Sequence, residues 1–166
     1  MKKTILLLGL TGVLALGGCV KKKEITYVSD EALIRQQIQT FEKALRQREP
    51  MLLADYYARD QVQVYSLQRS EKLTGWEDVM DYWKKFLKNY PVSDFSINSL
   101  TISPQGRRAW VNGDWQMTVE KKKFLKKDSK VFTVIGRYTA ILENREGSWQ
   151  VIHEHMSVPD FQLAEK

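Results

Sequence analysis

Apolar residues recur at helical intervals in two early stretches and at alternate positions through the rest of the chain. Ile34, Ile38, Phe41 and Leu45 step by four, three and four, which predicts an amphipathic helix buried along one side. Ser29 or Asp30 can cap its start, and it should stop before Pro50, because the residue preceding a proline is pushed out of the helical region. Pro50 suits the first turn of a second, shorter helix, MLLADYYA. QVQVYSL alternates like a strand, and a polar loop, QRSEK, follows it. Thr74 and Glu77 have the spacing of a capping box ahead of the stripe Trp76, Val79, Met80, Trp83, Phe86, Leu87 and Tyr90, which predicts a second long helix ending at Tyr90-Pro91.

From Asp94 the period becomes two. FSINSLTIS reads as a strand that turns at Pro104-Gln105-Gly106. The next run sets Ala109, Val111, Gly113, Trp115, Met117 and Val119 on one face, against Trp110, Asn112, Asp114, Gln116 and Thr118, with Gly113 marking a bulge or bend. A lysine-rich turn, KKKFLKKDSK, separates this run from a strand over 131–143, in which Arg137 and Thr139 face away from Gly136, Tyr138, Ala140 and Leu142. A turn over 144–147 leads to a last strand from Ser148 to Ser157. Strict alternation there puts Trp149, Val151, His153, His155 and Ser157 on one face and Gln150, Ile152, Glu154 and Met156 on the other. Helices first and four or five antiparallel strands afterwards predict an α+β domain with its helices on one face of the sheet.

The N-terminus lies outside this pattern. Lys2 and Lys3 precede an apolar stretch from Ile5 to Leu16, too short to span a bilayer, and Leu16-Gly17-Gly18 leads to Cys19, the only cysteine in the chain. Leu-Gly-Gly-Cys resembles a bacterial lipobox. That resemblance implies a signal peptide over 1–18, acylation of Cys19 (palmitate included), and a tether over 19–28 before a domain over 29–160 and a tail over 161–166. Several acyl chains hold a protein to a membrane lastingly where one does not. Val20, rather than an aspartate, follows the cysteine, which by resemblance to lipoprotein sorting implies the outer membrane, facing the periplasm. Lys21, Lys22 and Lys23 sit beside the anchor, where anionic headgroups would attract them.

Composition alters little. With 166 residues, 43% of them hydrophobic, the chain fits one domain with a core, and five tryptophans and seven tyrosines mean that large, partly polar side chains are buried. The formal charge of +6 would suit nucleic acid, but an exported address argues against such a partner. Phosphate-loop, dinucleotide and Cys-x-x-Cys motifs are missing from the sequence, and no cofactor is implied. The lysine-rich turn reads as a solvated hairpin tip or as a contact for phosphate-bearing envelope polymers.

The candidate chemistry gathers near the C-terminus. If their face lines a cavity, His153 and His155 could contact a polar ligand or act as a general base near neutral pH. Two histidines two apart also have metal-ligand spacing, but no third ligand is fixed and no metal is assigned. Arg137 could bind a carboxylate, pair with Glu154, or line a dimer interface. Tyr56, Tyr57, Trp83, Trp115 and Tyr138 supply aromatic walls for a pocket or simply core.

The segments IQTFEKALRQREPMLLADYY, GWEDVMDYWKKF, AWVNGDW and GRYTAILENREGSWQVIHEHMSVP resemble the nuclear transport factor 2-like superfamily, more narrowly its SnoaL-like and kinase-association-domain branch. The resemblance covers about residues 30–160 and implies a cone-shaped, curved antiparallel sheet wrapped on N-terminal helices. Glu49-Pro50 departs from the Gly-Asp often found at that point of the branch, and no residue matches the acidic general bases of the family's isomerases and cyclases. Three functions stay open: a lipid-anchored periplasmic binding or accessory module with a pocket for a small molecule or an envelope partner; a SnoaL-like isomerase, cyclase or hydrolase using a pocket histidine; and a homodimeric assembly domain without ligand.

Overall fold

The computed structural model describes residues 28–121 and 130–159. The signal and anchor sequence with Cys19, nearly all of the tether, most of the lysine-rich turn and the tail lie outside them. The elements are α1 (Asp30–Gln47), a single 3₁₀ turn (Pro50–Leu53), β1 (Gln63–Tyr65), β2 (Leu73–Thr74), α2 (Trp76–Asn89), β3 (Val92–Gln105), β4 (Arg108–Lys121), β5 (Lys130–Arg145) and β6 (Ser148–Ser157). They form an α+β domain in which one open, curved sheet of six strands wraps the helices, the nuclear transport factor 2-like arrangement. Its order is β2-β1-β6-β5-β4-β3. β3 to β6 form the expected antiparallel meander. The short strand β1 joins it parallel to β6, a pairing that alternation within a three-residue strand could not reveal.

α1 starts as expected, with the Ser29 hydroxyl accepting from the Ala32 N–H at 3.3 Å. It ends earlier than the proline requires. Arg48 turns left-handed at φ 57°, and its guanidinium donates to the Leu87 carbonyl near the end of α2. The helix expected over MLLADYYA is cut to the 3₁₀ turn, so Tyr56 and Tyr57 sit in irregular backbone and both can point inward. The capping box is also absent: Thr74 pairs with Gln63 in β2, and Gly75 takes the N-cap position of α2 without a side-chain cap.

The core lies between the inner sheet face and the two helices. Ile34, Ile38, Phe41 and Leu45 of α1 pack there with Val79, Trp83 and Phe86 of α2 and with Val111, Trp115, Tyr138 and Val151 of the sheet. Among the described residues, every buried core residue falls between Ile34 and Met156, so this stretch carries its own core. β3 is an edge strand, and α1 covers part of that edge: Arg46 donates to the Phe95 carbonyl at 2.7 Å, and Glu42 accepts from the Ile97 N–H at 2.7 Å. The irregularity signalled by Gly113 belongs to its neighbour. Between Asn98 and Thr101 β3 carries one extra residue, with Ser99 and Leu100 opposite Gly113 alone, and a Cβ on Gly113 would lie 2.7 Å from the Asn98 carbonyl oxygen. Gly136 is tighter still, because the Trp115 ring lies across it and would be 2.3 Å from a Cβ.

Candidate functional site

A single inserted residue decides which side chains enter the core. β5 and β6 pair Glu143 with Gln150 and Leu142 with Val151, but the next pair is Ile141 with His153, so Ile152 is a bulge. One extra residue reverses the faces of everything after it. Trp149 and Val151 point inward before the bulge, and Glu154 and Met156 point inward after it. The single alternation expected over 149–157 is therefore wrong beyond Ile152. His153 is half-buried and His155 exposed on the outer face, where Tyr65 of β1 lies beside both, its ring centroid 5.9 Å from each imidazole. Burial and the neighbouring His155 hold His153 below the usual histidine pKa. Among the described residues, no group of three or more His, Cys, Asp or Glu side chains could hold a metal ion.

Glu154 is the residue the bulge delivers. It is fully buried, the single charged side chain among the buried described residues. Its neighbour across the sheet is Ala140, whose small side chain leaves room for the carboxyl. Tyr57 donates to one carboxyl oxygen at 2.9 Å, and Tyr56 and Tyr138 lie 3.2 and 3.4 Å from the other, with their own hydroxyls 2.6 Å apart. Trp83 on α2 donates its indole N–H to the Tyr57 oxygen at 2.8 Å, so the Tyr57 proton is left for Glu154. The irregular segment after the 3₁₀ turn is fixed beside β6 by two bonds, Ala58 N–H to the Val151 carbonyl and Val151 N–H to the Tyr56 carbonyl, at 2.9 and 2.8 Å. That is how two adjacent tyrosines reach one carboxyl.

No cationic side chain joins the cluster among the described residues. Burial raises the Glu154 pKa to about 7, and the phenol hydrogen bonds only partly oppose the rise. Burial also drives Tyr56, Tyr57 and Tyr138 well above the usual tyrosine value, so they remain proton donors at neutral pH. The group can thus hold or release one proton near neutrality, inside a site closed to solvent.

An accessible, mainly apolar cleft lies elsewhere, at the open end of the sheet. A cleft of about 490 Å³ is lined mainly by Leu67, Phe86, Tyr90, Met117, Val119 and Val134, with Val158 at the end of β6. A chain of ring contacts joins the two regions, from Tyr57 through its bond to Trp83, then Phe86 and Tyr90 with centroids 5.5 and 5.0 Å apart. A second depression of about 290 Å³ adjoins the cleft and shares Gln68, Phe86 and Asn89 with it.

The residues singled out from sequence therefore divide. Tyr57, Trp83 and Tyr138 come together around Glu154. Trp115 is core, stacked on Phe95, with its indole donating to the Arg137 carbonyl at 3.1 Å. Arg137, His153 and His155 are on the far side of the sheet, so Arg137 cannot pair with the inward Glu154. Sequence reasoning missed Glu154 and the cleft residues Phe86 and Tyr90. A signal for Glu154 was present: Trp149 and Val151 are apolar at odd positions and Met156 at an even one, which requires a phase change between them.

Against known proteins, the SnoaL-like domain family matches residues 34–160. Three solved structures are similar. One, from Xanthomonas campestris and described as a candidate calcium/calmodulin dependent protein kinase II association domain, is 25% identical with a TM-score of 0.65, over 80% of this chain and 89% of that one. A candidate dehydratase from Streptomyces avermitilis, described as of the nuclear transport factor 2-like family, is 14% identical with a TM-score of 0.70, over 78% and 96%. A nuclear transport factor 2-like protein from Salmonella enterica is 14% identical with a TM-score of 0.65, over 83% and 99%. No curated protein matches the sequence.

Proposed function

The chain belongs to the SnoaL-like domain family, and on that premise we propose that it is a lipid-anchored periplasmic module that binds a small, largely apolar molecule. The open-end cleft carries this reading. Its lining is mostly apolar, its volume of about 490 Å³ falls in the range of small-molecule sites, and Phe86 and Tyr90 give it a rigid aromatic side. The anchor rests on Leu16-Gly17-Gly18-Cys19, and the outer-membrane address on Val20. The test is titration of the chain from Val20 onward with Nile red, a neutral apolar dye. Fluorescence should rise on binding, and Val134→Arg should abolish the rise. No enhancement, or enhancement that survives Val134→Arg, refutes the cleft as the site.

A catalytic reading is favoured by one observation, the buried Glu154 carboxyl, raised by burial to a pKa of about 7 and reached by two phenol protons, one from Tyr57 and one from the Tyr56–Tyr138 pair. It places the general base on Glu154, whereas the histidines lie on the outer face. Any turnover later assigned to the protein should be lost in Glu154→Gln and kept when His153 and His155 are both alanine; the reverse pattern would end this version.

A further inference from the structure

The later half of α2 carries a charged side that does not line the cleft. Arg48, Lys84 and Lys88, with Gln47, Pro50 and Leu87, surround a depression of about 310 Å³ between α2 and the end of α1, and it shares no lining residue with the cleft. Every charged residue of that lining is positive. All three cations are exposed, and none forms an ion pair among the described residues. Asp81, near Lys84 on α2, is engaged by Lys85 at 3.6 Å, and Glu49, beside Arg48 in the sequence, is exposed and pairs with none of the three. Lys88 in the last turn of α2 suits the helix dipole, but Lys84 lies one turn earlier, where like charges repel. The cluster therefore costs stability that a bound anion would offset.

Arg48 is its fixed member. The left-handed turn at φ 57° brings the guanidinium to the Leu87 carbonyl, which accepts from Nε at 3.2 Å and from Nη2 at 3.0 Å. These bonds use only part of the fork, and its remaining N–H groups have no partner among the described residues. We infer that this depression is a second binding site, for a soluble, multiply charged oxyanion of the phosphate or diphosphate class. Arg48 engages two of its oxygens, and Lys84 and Lys88 balance its charge. A planar guanidinium meets two oxygens of a phosphate at once, whereas an ammonium acts as a point charge. α1 begins where the tether enters and ends at this site, so its 18 residues set the two about 27 Å apart. A phosphate compound in solution therefore fits the site better than a head group of the leaflet that holds the anchor.

Pyrophosphate, titrated at low ionic strength into the chain from Val20 onward and followed by amide chemical shifts, should saturate one site and move the signals of Arg48, Lys84 and Lys88. Lys84→Gln with Lys88→Gln should weaken binding about tenfold, the loss expected for two exposed charge contacts. Arg48→Lys keeps the charge without the fork and should still weaken it about threefold. Lys85→Gln removes the same charge from a neighbouring position already paired with Asp81, and should change the affinity by less than about twofold. Absence of saturation, or equal losses in Lys85→Gln and Lys84→Gln, overturns the site in favour of diffuse attraction to a basic protein. Vesicles of phosphatidylcholine and phosphatidylglycerol form the last arm. Sedimentation of the chain with them, abolished by the paired lysine changes while pyrophosphate fails to saturate, would assign the cluster to a lipid head group and overturn the soluble ligand.

Discussion

Glu154 gives the domain a pH dependence whose direction is fixed by its raised pKa. A carboxyl that titrates near 7 when folded and near 4.5 when unfolded favours the folded state most in its protonated form. Its contribution is complete below about pH 4.5 and falls by about 3 kcal/mol in total as pH rises through 7. Glu154→Gln should remove this slope, so urea titrations at pH 5 and pH 8 should show the variant gaining on the natural protein as pH rises. A constant difference would mean that the carboxyl is not held in this state. Gly136 makes a second prediction at this scale. Gly136→Ala forces a methyl into the Trp115 ring and the Ser157 carbonyl, and should cost about 2–3 kcal/mol or prevent folding. A melting curve decides it.

At the scale of elements, the sequence was most readable where patterns were long. The α1 stripe, the α2 stripe from Val79 to Leu87 and Ala109, Val111, Trp115 and Met117 of β4 are buried as periodicity predicts, because many residues vote for one face, whereas Tyr90 at the end of the α2 stripe is exposed. Reading failed where one residue changed the outcome. Ile152 is one insertion in a strand of ten, and it exchanges the histidines for Glu154. β1 and β2 contain three and two residues, too few to show a period or choose a partner. Thr74 had the chemistry of a cap but was claimed by β2, as tertiary pairing overrode a local preference. Ser29 did keep its cap, and Ser29→Ala should cost about 1 kcal/mol, measurable as a lower midpoint in urea.

At the scale of the whole molecule, we extend the proposal to self-association through the outer sheet face. Trp110 is 51% exposed there and Ile135 60%, large apolar surfaces on the face opposite the core. Light scattering of the chain from Val20 onward should give a dimer mass that Trp110→Glu reduces to a monomer; a monomer in both would exclude the interface. The anchor has its own test, since Cys19→Ser should leave the protein unprocessed or move it to the soluble fraction. Normal lipid-labelled maturation of that variant would exclude lipidation at Cys19.

β6 has its two ends in different company. At its start, Trp149 donates to Asp30 at the beginning of α1, where the tether enters the domain; at its finish, Val158 lines the cleft. The ten-residue strand sets these points about 30 Å apart along its length. Under the proposed attachment through Cys19, the domain would open at the end remote from its anchor. Such a receptor would collect its cargo from the aqueous compartment in front of it, and would have little direct access to lipids of the leaflet that carries it.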